Sequence, residues 1–196
     1  MSDNNKTIPN DLQSDELLQA VRLEKIVPLN GPIYLADYDP EWPRLFVREA
    51  ERIRDILGNK IVLLEHVGST SIPGLAAKPR IDMLLVVADS SDEAAYVPMM
   101  ETAGYKLNIR EPEWHEHRLF KGPDTDINLH VFSPDCSETE QMLLFRDWLR
   151  NNPGELQLYE QTKRELAARD WKYVQHYADA KTAVVQEILK RARGEA

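Results

Sequence analysis

The densest chemistry in the chain is His66-Val67-Gly68-Ser69-Thr70-Ser71, followed by Lys78 and Asp82. A Gly-Ser pair directly after an apolar run lets the backbone approach a phosphate without a side-chain clash. The N–H groups and hydroxyls of Gly68, Ser69, Thr70 and Ser71 can then donate to phosphate oxygens. Lys78 adds a positive charge nearby in sequence. Asp82 is a lone carboxylate in an otherwise apolar stretch, and a buried charge there needs a metal, a cation or several hydrogen-bond donors. Together these residues make a candidate phosphate–metal site. The plainer alternative is an ordinary turn, with Asp82 paired to Lys78 or Arg80.

Four of the five histidines, His66, His115, His117 and His130, fall between positions 66 and 130. His115 and His117 are two apart and would share a face of a strand. With Asp82 they could complete a metal site or supply an acid/base group near neutral pH. The competing view puts them in a polar loop over residues 110–118, facing water, and for His115 that view is preferred. Glu65 and His66 alternate, so only one can face the site, and His66 is expected to be that one. Cys136 sits in a turn with no sequence-adjacent base, so a nucleophilic role is not expected.

These residues need elements to position them. Asp39-Pro40 reads as a helix start, and Trp42, Leu45, Phe46, Ala50, Ile53, Ile56 and Leu57 recur at helical spacing until Gly58. An apolar run over 61–64 leads as a strand into the Gly-Ser turn. Residues 81–87 read as a second strand, apolar on both faces except for Asp82, and therefore interior. A helix is expected over 91–103, stopped by Gly104, with strands over 105–109 and 117–121. Residues 126–132 alternate strictly. Asp126, Asn128 and His130 lie on one face, with Ile127, Leu129 and Val131 on the other. Helices follow over 137–151, from Pro153 to about 169, and from about 179, where Tyr177 and Lys181 share a helix face. Trp42, Phe46, Trp148 and Leu149 read as core. The expected fold class is α+β, a mixed β-sheet flanked by helices with a helical C-terminal segment. Residues 1–30 read as a polar leader, disordered over 1–11, with a short helix over 15–25 capped by Ser14. Residues 33–35 read as an edge strand or packed arm, and residues 31–196 as a single domain.

Composition narrows the function classes. The chain has 196 residues, 33 acidic against 24 basic, and a net charge of −9. A negative field opposes broad binding to duplex nucleic acid or anionic membrane but leaves room for a small basic pocket. No apolar run approaches the ~20 residues of a membrane span. The polar, acidic start lacks the features of a signal peptide. One cysteine cannot form an internal disulfide or a multi-cysteine zinc site. A cytoplasmic protein is expected, with a nucleotide or other phosphorylated small molecule as its partner.

Tyr38-Asp39-Pro40-x-Trp42 and the run from His66 through Ile72-Pro73-Gly74-Leu75-x-x-Lys78-Pro79-x-Ile81-Asp82 resemble the GrpB-like family. Gly104-Tyr105, Asn128-Leu129-His130-Val131, Phe145-Arg146-Asp147-x-Leu149-Arg150, Tyr159-x-x-x-Lys163 and Tyr177-x-x-x-Lys181 extend the match over residues 33–190. The resemblance implies a nucleotidyltransferase-superfamily fold, and in actinobacteria a similar domain is fused to dephospho-CoA kinase. It also implies a mechanism in which the Gly-Ser turn holds a triphosphate and strand carboxylates hold Mg²⁺ for in-line attack on the α-phosphate. The sequence departs from that pattern. Leu84 stands where a second acid would pair with Asp82, and His130 stands where a later strand would bring a third. The family positions point to Asp82, His130 and His66 as catalytic. Gly68, Ser69, Thr70, Ser71, Lys78 and Arg118 would contact phosphate, and Lys163, Tyr177 and Lys181 would reach in from the helices. A divalent metal on Asp82 and His130 is expected, Mg²⁺ or Mn²⁺ ahead of Zn²⁺. The missing acid keeps a second outcome open, a binding module for a nucleotide or phosphorylated metabolite without transfer.

Overall fold

The computed structural model describes residues 15–195. The leader over 1–11 and the Ser14 cap lie outside the described residues. Helix α1 (Asp15–Ala20) is shorter than the expected 15–25. The chain then runs as an arm along the body, joined by single bridges between Arg22 and Ile109, Gly31 and Trp171, and Ala36 and Ala77. The stretch over 33–35 is therefore a packed arm.

Helix α2 (Glu41–Leu57) starts where Asp39 Oδ1 accepts the Glu41 N–H at 2.8 Å. It buries Trp42, Ala50, Ile53 and Leu57 along one stripe, and Gly58 ends it at φ 53°. Strands β1 (Ile61–Val67) and β2 (Ile81–Val87) follow. The helix expected over 91–103 is broken. A single 3₁₀ turn, Glu93–Ala95, precedes a short α3 (Val97–Thr102), because Pro98 suits only a first helical turn. Strands β3 (Lys106–Glu111), β4 (His117–Lys121) and β5 (Ile127–Phe132) complete a five-stranded sheet of order β1-β2-β5-β4-β3. The β2–β5 pair is parallel and the other pairs are antiparallel, so the sheet is mixed, as expected.

Helices α4 (Ser137–Asn151), α5 (Pro153–Ala167), α6 (Val174–Ala180) and α7 (Thr182–Arg193) form the C-terminal segment. The helix expected from about 179 is α7, which starts at Thr182, and a separate α6 precedes it across Lys181. One face of the sheet carries Leu64, Met83, Leu85, Phe120, Leu129 and Val131 against α2 and α3. The other carries Val67, Leu84, Val86 and Phe132 against Met142 and Leu143 of α4. Strand β2 therefore buries both faces, which is why its sequence shows no apolar–polar alternation.

Candidate functional site

Parallel register sets Asp82 beside Asn128, and antiparallel register sets it opposite Val67 at the end of β1. With a period of two, Asp82 shares a face with Asn128 and His130 of β5 and with His117 and Lys121 of β4. That face opens, at the N-terminal ends of β2 and β5, into a cavity of about 840 Å³ roofed by α4 to α7 and by the arm. Gly68, Ser69, Thr70, Lys78, Asp82, His130, Lys163, Tyr177 and Lys181 all line it. Most of the residues singled out from sequence thus converge, although they come from six separate elements.

The turn after β1 presses on the carboxylate. Gly68 adopts φ 68°, and a Cβ there would lie 2.5 Å from Asp82 Oδ2. Glycine is required both for the conformation and for the close approach. Asp82 Oδ1 accepts from Asn128 Nδ2 at 2.8 Å, and Lys121 Nζ donates to Asn128 Oδ1. Ser71 is turned away from the cavity and donates to Gly68 O at 2.6 Å, so it braces the turn.

Cations dominate the cavity walls. Lys78 lies over one side of the Tyr177 ring at 5.7 Å, and Lys181 also approaches that ring at 4.7 Å. Lys163, buried, donates to Ala76 O at 2.5 Å and lies 5.3 Å from the Tyr159 ring centre. Burial holds the Lys78 ammonium down to about 8, with Lys181 adding repulsion. Burial also brings Lys121 to about 8, with Arg80 adding repulsion. Lys163 falls well below the ordinary lysine range through burial and then Lys181, and Lys181 is lowered by burial as well. Burial pushes the Tyr159 hydroxyl up to about 12 and raises that of Tyr177. Both phenols therefore stay protonated and can donate. The Tyr177 hydroxyl is sealed from solvent without a hydrogen-bond partner among the described residues.

Two expected site residues are elsewhere. His66 points to the opposite face of the sheet, where it stacks on Phe46 of α2 at 4.8 Å and 8°. Its Nε2 lies 3.1 Å from Thr70 Oγ1, and burial lowers it to about 4, so it is a neutral core histidine. Glu65 takes the cavity-side face instead, but it is engaged by Arg146 of α4 at 2.8 Å. Arg118 is also on the α2–α3 side. It is buried and paired with Glu93 at 2.5 Å and Glu116 at 3.3 Å, which leaves no free edge for a phosphate. Hydrophobic alternation gives the two faces of a strand but not which one a distant helix covers.

Other functional residues were missed. Asn128 was legible as the face-mate of His130, since the 126–132 alternation places them together. Lys121 and Tyr159 become neighbours of Asp82 only through long-range pairing and helix docking. His117 is not in a watery loop: it begins β4, is buried, and lies 3.1 Å from His130 Nδ1 through its Nε2. His115 is exposed, as preferred.

The donor set does not fit a divalent metal. Of the expected ligands, Asp82 has one oxygen held by Asn128 and the other against Gly68, amid four lysines. Among the described residues no group of three His, Cys, Asp or Glu side chains could hold a metal ion. The surplus of cationic side chains in the lining repels a further cation.

Residues 32–191 match the family model described as GrpB protein. A UPF0157 protein of Halalkalibacterium halodurans is 59% identical over 192 residues, covering 98% of this chain and 97% of that protein. The crystal structure of conserved protein GrpB from Enterococcus faecalis aligns with a TM-score of 0.72 and 30% identity, covering 81% of this chain and 96% of that one. A dephospho-CoA kinase of Mycolicibacterium paratuberculosis is 26% identical over 89% of this chain, which spans 52% of the kinase. No helix among the described residues is long and apolar enough to cross a membrane.

Proposed function

This chain belongs to the GrpB family, and we propose that it binds a phosphorylated small molecule, a nucleotide or another phosphometabolite, in the cavity around Asp82. The observation that carries this is a charge imbalance. Five lysines and two arginines line the cavity against three carboxylates, Asp82, Glu24 and Glu138, and the ring of Tyr177, whose hydroxyl has no partner among the described residues, lies beside Lys78 and Lys181. Burying cations without anionic partners destabilises a fold, and an incoming phosphate would relieve that penalty. The ammoniums of Lys78, Lys163 and Lys181 supply donors that phosphate oxygens need. Calorimetric titration of the full chain with inorganic phosphate, pyrophosphate and ATP tests the idea. Saturable binding is expected, weakened at least tenfold (about 1.4 kcal/mol) by Lys163→Met or Lys181→Met and unchanged by Arg118→Met. Absence of binding at millimolar ligand would refute it.

A second reading, nucleotidyl transfer to a small acceptor, is favoured by the contact between the Gly68 turn and Asp82. It needs a metal that the donor set does not suit. Release of pyrophosphate from labelled nucleoside triphosphates with Mg²⁺ or Mn²⁺, abolished by Asp82→Asn, would replace binding with catalysis.

A further inference from the structure

A three-residue chain crosses the sheet edge toward the cavity. Glu111 Oε2 lies 2.6 Å from His117 Nδ1, and His117 Nε2 lies 3.1 Å from His130 Nδ1. The two imidazoles lie 5.2 Å apart and 20° from parallel, with Phe132 stacked on His117 at 4.7 Å. His117 is buried and its ring is fixed on two sides. The carboxylate can only accept, so His117 carries its proton on Nδ1. With His117 neutral, its Nε2 is then an acceptor, and the only hydrogen available for the next bond is on His130 Nδ1. That leaves His130 Nε2 with a lone pair. Nε2 has no hydrogen-bond partner among the described residues and is not among the sealed unpaired atoms, and His130 lines the cavity.

We propose that Glu111 and His117 lock His130 as a hydrogen-bond acceptor facing the cavity, so that the ligand carries a hydroxyl or amine alongside its anionic end. The ligand half rests on the anion reading above, and the lock does not. The lysine ammoniums present donors alone, whereas His130 Nε2 presents an acceptor. A phosphate ester of a polyol fits both demands, but bare phosphate and alkyl phosphates satisfy only the first. Glu111 and His117 are positioning residues, since neither needs to touch the ligand.

Nitrogen NMR of the ¹⁵N-histidine-labelled full chain at pH 8, without ligand, reads the lock directly. His130 is expected as the Nδ1–H form, and His117→Phe, which keeps the ring stack but removes the acceptor, should shift it to the Nε2–H form. An Nε2–H form in the unaltered protein, or no change in His117→Phe, overturns the lock. Titration with glycerol 3-phosphate and propyl phosphate then tests the ligand class. The unaltered protein should prefer the glycerol ester by at least fivefold, and His117→Phe should lose that preference while still binding both. Equal affinities in the unaltered protein overturn the proposal. Binding of neither ester overturns the anion reading, and the ligand-free spectra separate that result from failure of the lock.

Discussion

Buried charges behave differently on the two faces of the sheet. On the α2–α3 side Glu49 is fully buried, yet it accepts from Tyr105 at 2.8 Å and Thr125 at 2.7 Å, with Arg52 at 3.6 Å. Arg118 on the same side has Glu93 and Glu116. Each of these charges has an opposite charge within the protein. On the cavity side Lys78, Lys121, Lys163 and Lys181 make no salt bridge among the described residues, and the Asp82 they surround is itself held by Asn128. A fold completes the charges that hold it together and leaves incomplete those meant for a partner. The contrast supports the proposed anion site independently of any motif.

Substitutions of opposite sign would sharpen that contrast. Arg118→Met removes a buried charge-assisted bond to Glu93, which keeps Arg110 at 2.6 Å, and should cost about 3 kcal/mol by chemical denaturation, without changing phosphate affinity. Gly68→Ala should cost about 2–4 kcal/mol by the same measurement, because the new Cβ meets Asp82 Oδ2 and the backbone is in a left-handed conformation. Lys78→Met should act the other way. It removes a cation whose burial is not compensated, and it should stabilise the unliganded protein by about 1–2 kcal/mol while weakening pyrophosphate binding. A destabilised Lys78→Met would mean that the cavity cations are structural after all, and the contrast would collapse.

Part of this site was legible in the sequence. The alternation over 126–132 aligned Asn128 with His130, and the lone Asp82 in β2 announced a polar need at an interior strand. The Gly-Ser turn was found by type, although its tightest demand proved to be contact with Asp82 rather than with phosphate. Lys121 was out of reach, because it meets Asn128 only through the β4–β5 register. His66 and Glu65 could be ordered only by knowing that α2, with Phe46, covers one face and α4, with Arg146, the other. The excess of cations over acids in the cavity depends on helix docking, which periodicity does not encode.

Acid response gives a smaller test of the same comparison. His66 and His130 both titrate near 4, below the ordinary 6.5, on opposite faces. Between those values the unfolded chain binds more protons than the native one, so stability should fall as pH drops from 6.5 toward 4. Each histidine contributes at most about 1.4 kcal/mol per pH unit. His66→Gln should flatten the slope by about 1 kcal/mol per unit without affecting pyrophosphate binding, measured by denaturation at a series of pH values.

The most direct measurement is proton exchange on pyrophosphate binding at pH 8, by calorimetry in two buffers of different ionisation heat. Burial and neighbouring cations hold Lys78 and Lys121 down to about 8 in the unliganded cavity. An anion seated among them should raise both and draw in about one proton, with affinity declining as pH rises further. Binding with proton release, or with no exchange and no loss of affinity above pH 8, would contradict the claim that these lysines await an anion.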